Sequence, residues 1–197
     1  MPVKILTLNG EIVKVNGKVA YETIAEPPGP VTYADWFLPS RGELILVYDR
    51  IAAQGVGSLP TDEYCWTSSA FSPVYTYGII MSTGNLLPLD KNLFNGRYAL
   101  PVRSFTDTDL YNIRDAGPAG GWIFIKEDIG GGLYTYYEVA PAALYPEMLY
   151  SNTTELTQNQ GYGQTIGDGY SNSIAVTNQA GHTASAALSC LNYSVTV

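Results

Sequence analysis

The stretch Asp35-Trp36-Phe37-Leu38-Pro39-Ser40-Arg41-Gly42-Glu43-Leu44 has the pattern of a strand end followed by the start of a helix. The apolar run at 36–38 is typical of a buried strand, and Pro39 ends it because proline has no backbone N–H. Ser40 precedes Glu43 by three residues, the spacing of a capping box, in which each side chain binds the other residue's backbone N–H. The sequence therefore predicts a helix that begins at Ser40.

The residues after this start follow the period of a helix. Four apolar positions recur at i, i+3, i+4 and i+7, which places them on one face that we expect to rest on the core. They are Leu44, Val47, Tyr48 and Ile51. Two more helices are predicted near the C-terminus, one from about Asn172 and one over 183–191. The second has a common face made of Ala184, Ala187, Leu188 and Leu191.

Segments between the first helix and the last two are predicted to be strands. They lie at 64–69, 75–81 and 97–105. A polar surface connection over 106–117 follows. After it comes a hairpin whose first strand opens with residues 120–125 and whose second strand covers residues 133–140. We assign Trp36, Trp66 and Trp122 to the core. Together these elements predict an α+β fold.

The composition of the chain limits the class of protein. Of its 197 residues 46% are hydrophobic and 14% are charged, which indicates a folded rather than a disordered chain. The net charge of −8 argues against a phosphate-binding surface, so we expect no nucleic-acid partner. No stretch of about 20 apolar residues is present, so we expect no membrane insertion. The N-terminus lacks the apolar region of a secretory signal, which favours synthesis in the cytosol unless a leader has been removed.

Residues 3–24 are predicted to form a small β-meander. Strand-like segments at 3–8, 11–15 and 18–23 are separated by Asn9-Gly10 and Asn16-Gly17. Asn-Gly is a strong hairpin signal because both positions of the tight turn need positive φ. So few short strands are barely stable alone. We therefore expect residues 1–26 to dock or to oligomerise.

A proline-rich segment follows the meander. Glu26-Pro27-Pro28-Gly29-Pro30 is typical of a stiff extended linker. The predicted organisation is therefore a meander over 1–26, a linker over 27–32 and a main domain over 33–197. The alternative is that the meander is an N-terminal sheet of the same domain.

The sequence offers little for catalysis. Cys65 and Cys190 have no metal-ligand spacing and no neighbouring cation that would lower a thiol pKa, so we predict buried free thiols. The one histidine, His182, lies in a turn beside glycine and forms no Ser/His/Asp grouping. Asp62-Glu63 and Asp107/Asp109 could hold calcium, although acidic loop residues are usually solvated. We therefore expect no enzyme activity, no cofactor and no metal.

Several motifs resemble a known bacterial family. Asp-Trp-Phe-Leu-Pro-Ser-x-x-Glu-Leu from Asp35, then Trp66-Thr67-Ser68-Ser69, then Pro101-Val102-Arg103-Ser104-Phe105 are similar to the second half of the major paralogous domain family. That family has a C-type-lectin-like fold and is similar to the C-terminal domain of bacterial collagen-like adhesins. The stretches 117–124 (Gly-Pro-Ala-Gly-Gly-Trp-Ile-Phe), 137–141 and 186–190 resemble its first half. The resemblance covers most of residues 33–193.

The two halves occur here in the reverse of the family's order. A circular permutation explains this, because domain termini often lie close together at the surface. A swap of halves between neighbouring copies is the alternative. Either way, the resemblance implies that the helix bearing Cys190 ends near residues 33–36, and that the strand after Gly121 shares a core with the strand ending at Phe105. It also implies short twisted antiparallel sheets with two or three helices.

The resemblance further implies a binding surface. In this fold the segment between the Trp-x-Ser-Ser motif and the closing Val-Arg strand displays side chains on one exposed face. Tyrosine offers rigid contact area and asparagine adaptable hydrogen bonds, as in a paratope, although alternate strand tyrosines could instead point into the core. We expect Ser68 and Ser69 to bind irregular backbone rather than a ligand. The candidate ligand-binding residues are Tyr75, Tyr77, Asn85, Asp90, Lys91, Asn92, Asn95 and Arg97.

These features favour a non-enzymatic binding or display module, above all a bacteriophage virion protein such as a fibre or a capsid decoration. The resemblance adds that phage receptor-binding proteins often use this fold. We expect a virion location and a homo-oligomer, with a trimer favoured, that contacts other virion proteins and a host surface glycan or protein. The alternatives are a purely structural virion component and an exported adhesin on the bacterial cell surface.

Overall fold

The computed structural model describes most of the chain. The described residues are 3–5, 7, 8, 11, 12, 14, 15, 18, 19, 21–23, 29–60, 64–92, 97–144, 148–153 and 163–197. They form two compact units, Met1–Val31 and Thr32–Val197. The division between the two units falls inside the segment 27–32 that the sequence predicts to be a linker.

The described residues of the first unit form six short strands in three antiparallel pairs. The strands are β1 Val3–Ile5, β2 Thr7–Leu8, β3 Glu11–Ile12, β4 Lys14–Val15, β5 Lys18–Val19 and β6 Tyr21–Thr23. β1 pairs with β6, β2 with β3, and β4 with β5. Each of the three predicted strands is therefore divided in two, and its halves pair with different neighbours, so that every strand contacts both others. The two Asn-Gly turns lie outside the described residues.

The second unit is α+β, as predicted. Its elements are β7 Thr32–Tyr33, α1 Arg41–Arg50, a 3₁₀ helix Ala52–Gln54, β8 Tyr64–Ala70, β9 Tyr75–Ile80, β10 Leu86–Asp90, β11 Arg97–Tyr98, β12 Val102–Asp107, β13 Trp122–Gly130, β14 Leu133–Val139, α2 Asp168–Thr177, α3 Ala186–Leu191 and β15 Val195–Thr196. The described strands form a four-stranded sheet in the order β10-β9-β8-β11, a three-stranded sheet in the order β12-β14-β13, and the pair β15-β7. All of these pairings are antiparallel except β11 with β8.

The helix α1 lies on the main core, as its apolar stripe predicts. Leu44, Val47 and Ile51 are fully buried, and Tyr48 packs at the edge. Side chains from both larger sheets complete this core, among them Cys65, Ile79, Val102, Phe124 and Val139. One helix face therefore joins the two sheets.

The strand predicted over 97–105 is wrong as a single element. The chain forms β11 in one sheet and then β12 in the other. Between them Pro101 has no N–H to donate, and its carbonyl accepts the Ala140 N–H at 2.9 Å. The buried residues Ala99 and Leu100 therefore carry the chain from one sheet to the next.

The bounds of the two C-terminal helices also differ from the prediction. α2 begins at Asp168, four residues before the predicted start at Asn172. α3 begins at Ala186, because the Ser185 side chain accepts the Leu188 N–H at 2.9 Å and fixes the start there. Ala184 consequently lies outside the helix and is exposed, and the buried face consists of Ala186, Ala187 and Cys190.

The Glu43 carboxylate joins the first helix of this unit to α2. The predicted capping box is confirmed: Ser40 N–H donates to Glu43 Oε2 at 2.8 Å, and Glu43 N–H donates to Ser40 Oγ at 3.2 Å. Glu43 Oε1 accepts the N–H of Gly167 at 2.8 Å and that of Gly169 at 3.4 Å, both at the start of α2. Burial raises the pKa of Glu43, although the three backbone N–H groups that donate to its carboxylate, and the Ser40 side chain, oppose the effect. One buried side chain thus caps two helices.

The segment 108–121 covers the face of the three-stranded sheet that lies opposite the main core. Glu138 accepts the backbone N–H groups of residues 119 and 121 at 3.1 and 2.8 Å, and binds the Arg103 guanidinium at 3.1 Å. Arg103 also forms two hydrogen bonds with the carboxylate of Asp35, at 2.7 and 2.9 Å. The polar connection predicted over 106–117 lies at the surface, and it also covers this face of the sheet.

The two ends of the second unit meet in one chain. β7 and β15 pair with Tyr33 opposite Val195 and Thr32 opposite Thr196. The Trp36 ring meets the Tyr193 ring edge-on at 5.3 Å. The expectation that the helix bearing Cys190 ends near residues 33–36 is confirmed. The expected union of the strands on either side of residues 106–121 is also confirmed, since both β12 and β13 pair with β14.

Replacing Glu43 by leucine should destabilise the protein. The change introduces an apolar side chain of similar size and removes the acceptor of three buried or half-buried backbone N–H groups. An unsatisfied buried donor costs about 1–3 kcal/mol, so we expect the free energy of unfolding to fall by at least that amount in a denaturant titration.

Glu127→Leu is the matched control, because Glu127 is exposed on β13. Surface substitutions usually change stability by less than about 0.5 kcal/mol. Equal losses for the two variants would contradict the role given to Glu43.

Candidate binding surface

The residues that the sequence predicts to bind a ligand lie along β9, β10 and the segment after β10. Tyr75, Asn85 and Asn92 are exposed, Tyr77, Asp90 and Arg97 are half-buried, and Lys91 is buried. Asn95 lies outside the described residues. The guanidinium of Arg97 lies over the Trp66 ring at 4.9 Å, which holds it against the sheet.

The prediction that Lys91 is exposed for ligand binding is wrong. Its side chain is 1% exposed, and its amine donates to the backbone oxygens of Ser72 at 2.9 Å and Pro73 at 3.2 Å. Its own N–H donates to the Val74 oxygen at 3.0 Å, and its amine lies 5.2 Å from the centre of the Tyr150 ring. The turn after β8 presents carbonyl groups that need donors, and Lys91 supplies them from 18 residues later in the chain. Lys91 therefore positions a turn.

That turn carries an exposed apolar group that we call the aromatic tip, made of Phe71, Val74, Tyr75 and Tyr77. Phe71 is 51% exposed, Val74 49% and Tyr75 41%. The Phe71 and Tyr77 rings meet edge-on at 5.4 Å, and the Arg41 guanidinium lies 5.0 Å from the centre of the Tyr77 ring. Phe71, Val74 and Tyr75 are thus exposed together at the end of the β8–β9 hairpin, and Phe71 contacts Tyr77.

The backbone of the tip is held by its own hydrogen bonds. The N–H groups of Phe71 and Ser72 both donate to the Tyr75 oxygen, at 2.9 and 3.0 Å. The Tyr75 N–H donates to Ser72 Oγ at 3.1 Å. With the three bonds from Lys91, the turn has six hydrogen bonds. The apolar side chains are therefore presented by a fixed backbone.

The other nominated polar residues bind their own turns. Asp90 Oδ1 accepts both the N–H and the side-chain amide of Asn92, at 2.9 and 3.2 Å. Asn85 accepts the Ile80 N–H through its backbone oxygen at 3.1 Å. Of the nominated residues, Tyr75 and Tyr77 belong to the tip. The sequence reasoning missed Phe71 and Val74, although apolar residues flanking the Ser72-Pro73 pair are a signal that could have revealed them.

The Ser69 side chain of the Trp-Thr-Ser-Ser motif binds backbone, as expected, whereas the Ser68 hydroxyl accepts from the Asn172 side-chain nitrogen at 3.4 Å. Ser69 Oγ accepts the Arg41 N–H at 2.9 Å and donates to the Gly163 oxygen. The Ser68 N–H donates to the Pro39 oxygen at 2.7 Å. Both serines are fully buried where the pairing of β8 with β9 is irregular.

Each of the two cysteines and the histidine is partly or fully buried. Cys65 and Cys190 are buried free thiols, as predicted, and burial raises the pKa of both, that of Cys65 to about 12. His182 Nε2 lies 2.9 Å from Ser185 Oγ, the atom that caps α3, and partial burial lowers the pKa of His182. Asp62-Glu63 lies outside the described residues. Among the described side chains, no group of three or more His, Cys, Asp or Glu residues could hold a metal ion.

None of the helices in the described ranges is long and apolar enough to cross a membrane. No family model matches the chain, and neither a curated protein nor a solved structure matches it.

The Lys91 amine should make stability depend on pH in the alkaline range. Burial lowers its pKa from 10.5 to about 8. Between these values the unfolded chain binds more protons than the folded chain, so folding becomes more favourable as pH rises from 8 to 10.5. The neutral amine keeps two hydrogens for the Ser72 and Pro73 oxygens.

We therefore expect the stability of the wild type to rise relative to that of Lys91→Met over this interval, by at most about 3 kcal/mol. Urea titrations at several pH values measure the difference. Lys18→Met, at an exposed lysine of the first unit, should show no such divergence. Parallel stability curves for the wild type and Lys91→Met would contradict the burial of a lysine with a lowered pKa.

Proposed function

We propose that this chain is a non-enzymatic binding and display module whose aromatic tip binds a ligand on a host cell surface, either a glycan or a protein. The observation that carries the proposal is the exposure of Phe71, Val74 and Tyr75 on one hydrogen-bonded turn. Contiguous apolar surface rimmed by polar groups marks interaction sites in soluble proteins.

Two physical properties of the aromatic tip favour binding. Tyrosine contributes large contact area with few rotatable bonds, so little entropy is lost when it is immobilised. A turn already fixed by six hydrogen bonds lowers the cost of ordering the surface on association. The Arg41 guanidinium beside Tyr77 adds a charged donor at the rim.

We also propose that the second unit is a C-type-lectin-like domain of the family that its motifs resemble, with the two halves circularly permuted. The pairing of β7 with β15 supports a permutation within one chain rather than a swap. The common sheet of β12, β14 and β13 supports the joining of the two half-motifs in one core. In that fold the segment between the Trp-Thr-Ser-Ser and Val-Arg-Ser-Phe motifs is the displayed one, and here it carries the tip.

The setting that fits best is a bacteriophage virion, with the chain as a fibre or a capsid decoration. The first unit then docks on other virion proteins or joins copies into a homo-oligomer, with a trimer favoured. An exported bacterial surface adhesin is the alternative setting, and the neighbouring open reading frames distinguish phage from host. In a purely structural virion component, the tip would instead be covered by another virion protein.

The double substitution Phe71→Ser with Tyr75→Ser should weaken binding and leave the fold intact. Both side chains are half exposed and contribute little to the core, whereas truncating a central contact residue typically costs 1–2 kcal/mol or more of binding energy. We expect the wild type to bind a subset of a glycan array or of a panel of bacterial cells. The double variant should bind at least about tenfold more weakly.

Ile129→Ser is the control, because Ile129 is 55% exposed at the β13–β14 hairpin, outside the tip. It should bind like the wild type. Equal binding by all three proteins would show that the tip is not the site. A different outcome would favour the purely structural virion component: the wild type binds neither glycans nor cells, and the double variant fails to assemble into virions.

A further inference from the structure

A cleft lies outside the aromatic tip, at the opposite end of α1. Asp49 and Arg50 line it from the last turn of the helix, and Gln54 from the 3₁₀ helix that follows. Ile113 and Arg114 in the covering segment and Lys126 on β13 complete the wall. Its volume is about 500 Å³, within the range of small-molecule sites.

The cleft concentrates positive charge in an acidic protein. Three of the chain's ten lysines and arginines line it, although the chain carries 18 acidic residues and a net charge of −8. Lys126 is paired with Asp109 and lies 4.8 Å from the centre of the Tyr134 ring. Asp49 is the one carboxylate in the lining. The cations left for a ligand are therefore Arg50 and Arg114.

Arg50 is oriented but not saturated. One of its terminal nitrogens donates to the Phe124 oxygen at 2.9 Å, which directs the guanidinium along β13. A guanidinium has five N–H donors, and this is the one hydrogen bond of the Arg50 side chain among the described residues. The remaining donors can reach a ligand without breaking it.

The backbone conformation of Arg114 is one that favours glycine rather than arginine. Its φ is 78°, the one positive value at a non-glycine residue in the described ranges. Its N–H donates to the Ile123 oxygen at 2.7 Å, and the Ile123 N–H donates to the Asp115 oxygen at 3.0 Å, so the backbone is fixed on both sides. Glycine would occupy this position without strain. Strain of this kind persists at functional sites because the side chain is needed there.

The Arg114 guanidinium is open to solvent and has no hydrogen bond, ion pair or ring contact with any described residue. A strained backbone therefore presents an unpaired cation to a cleft that already holds a second, oriented guanidinium. A guanidinium with free donors suits a carboxylate, which arginine binds with two parallel hydrogen bonds.

The uncharged part of the ligand is indicated by the rest of the lining. The Gln54 side-chain nitrogen donates to the Asp49 backbone oxygen at 3.2 Å, which leaves the amide oxygen of Gln54 as an acceptor. The Asp49 carboxylate is a second acceptor. Both accept hydrogen bonds from hydroxyl groups. Ile113 adds one apolar contact.

We propose that this cleft binds an acidic sugar, with the carboxylate held by Arg50 and Arg114 and the hydroxyl groups by Asp49 and Gln54. The site is separate from the aromatic tip, because none of its residues belongs to β8, β9 or β10. It could bind a free uronic acid or a uronic-acid residue of a polysaccharide. The two proposed sites are independent, so a negative binding result at one does not contradict the proposal for the other.

Calorimetric titration of the full chain with sodium glucuronate tests the proposal. We expect saturable binding that weakens with added salt, and binding of neutral glucose at least about tenfold weaker. Arg114→Gly should fold with equal or higher thermal stability, because it relieves the strain, and should bind glucuronate at least about tenfold more weakly. Lys18→Gln, at an exposed lysine of the first unit, should bind like the wild type.

Two further arms identify the source and the chemistry of the ligand. Binding of a uronic-acid oligosaccharide more tightly than the monosaccharide assigns the site to a polysaccharide, and equal binding assigns it to the free acid; both support the proposal. Competition by inorganic sulfate as effective as that by glucuronate would overturn it, because the hydroxyl contacts would then contribute nothing. Unchanged binding by Arg114→Gly, or no binding of either sugar acid by the wild type, would also overturn it.

Discussion

The Glu43 carboxylate is the interaction on which the second unit depends. Its two oxygens accept backbone N–H groups at the first turns of α1 and α2, helices that lie more than 120 residues apart in the sequence. Both helix N-termini carry partial positive charge, which favours a carboxylate between them. Leu38 and Ser173 exchange two hydrogen bonds beside this junction, and Ser40 Oγ donates to the Thr165 oxygen. The segment that leads into α1 and the C-terminal helices therefore form one structure.

The same helix connects this junction to both proposed binding regions. Arg41, its first residue, lies over the Tyr77 ring of the aromatic tip, and Arg50, its last, lines the cleft. Ten helical residues span about 15 Å. Because Leu44, Val47 and Ile51 fix the helix to both sheets, the two regions are held on one rigid element. Rigid placement reduces the ordering cost of binding at either end.

Local signals in the sequence were sufficient for the elements that local physics determines. The capping box at Ser40, the apolar stripe of α1 and the β13–β14 hairpin follow from spacing and turn chemistry alone, and the structure has all three. The start of α2 could not be found in this way, because its cap is supplied by Glu43 from another helix. Lys91 was misassigned for the same reason: its partners are carbonyl groups of a turn 18 residues earlier, and a lone lysine in a polar segment gives no sign of them. Two of the four residues of the aromatic tip were predicted from the sequence. Tyr75 and Tyr77 follow strand alternation, whereas the exposure of Phe71 and Val74 depends on the hydrogen bonds that fix the turn.

The central claim is that the two ends of the second unit close a single domain within one chain. Thr32→Cys combined with Thr196→Cys tests it most directly, because these residues are opposite each other in an antiparallel pair and their hydroxyl oxygens lie 2.9 Å apart. Paired positions of this kind have Cα atoms about 4.5–5.5 Å apart, which a disulfide can bridge. After mild oxidation, nonreducing electrophoresis and intact mass should show a crosslinked monomer with raised thermal stability, whereas each single substitution should show none. Disulfide-linked dimers without crosslinked monomer, or no crosslink at all, would contradict closure within one chain.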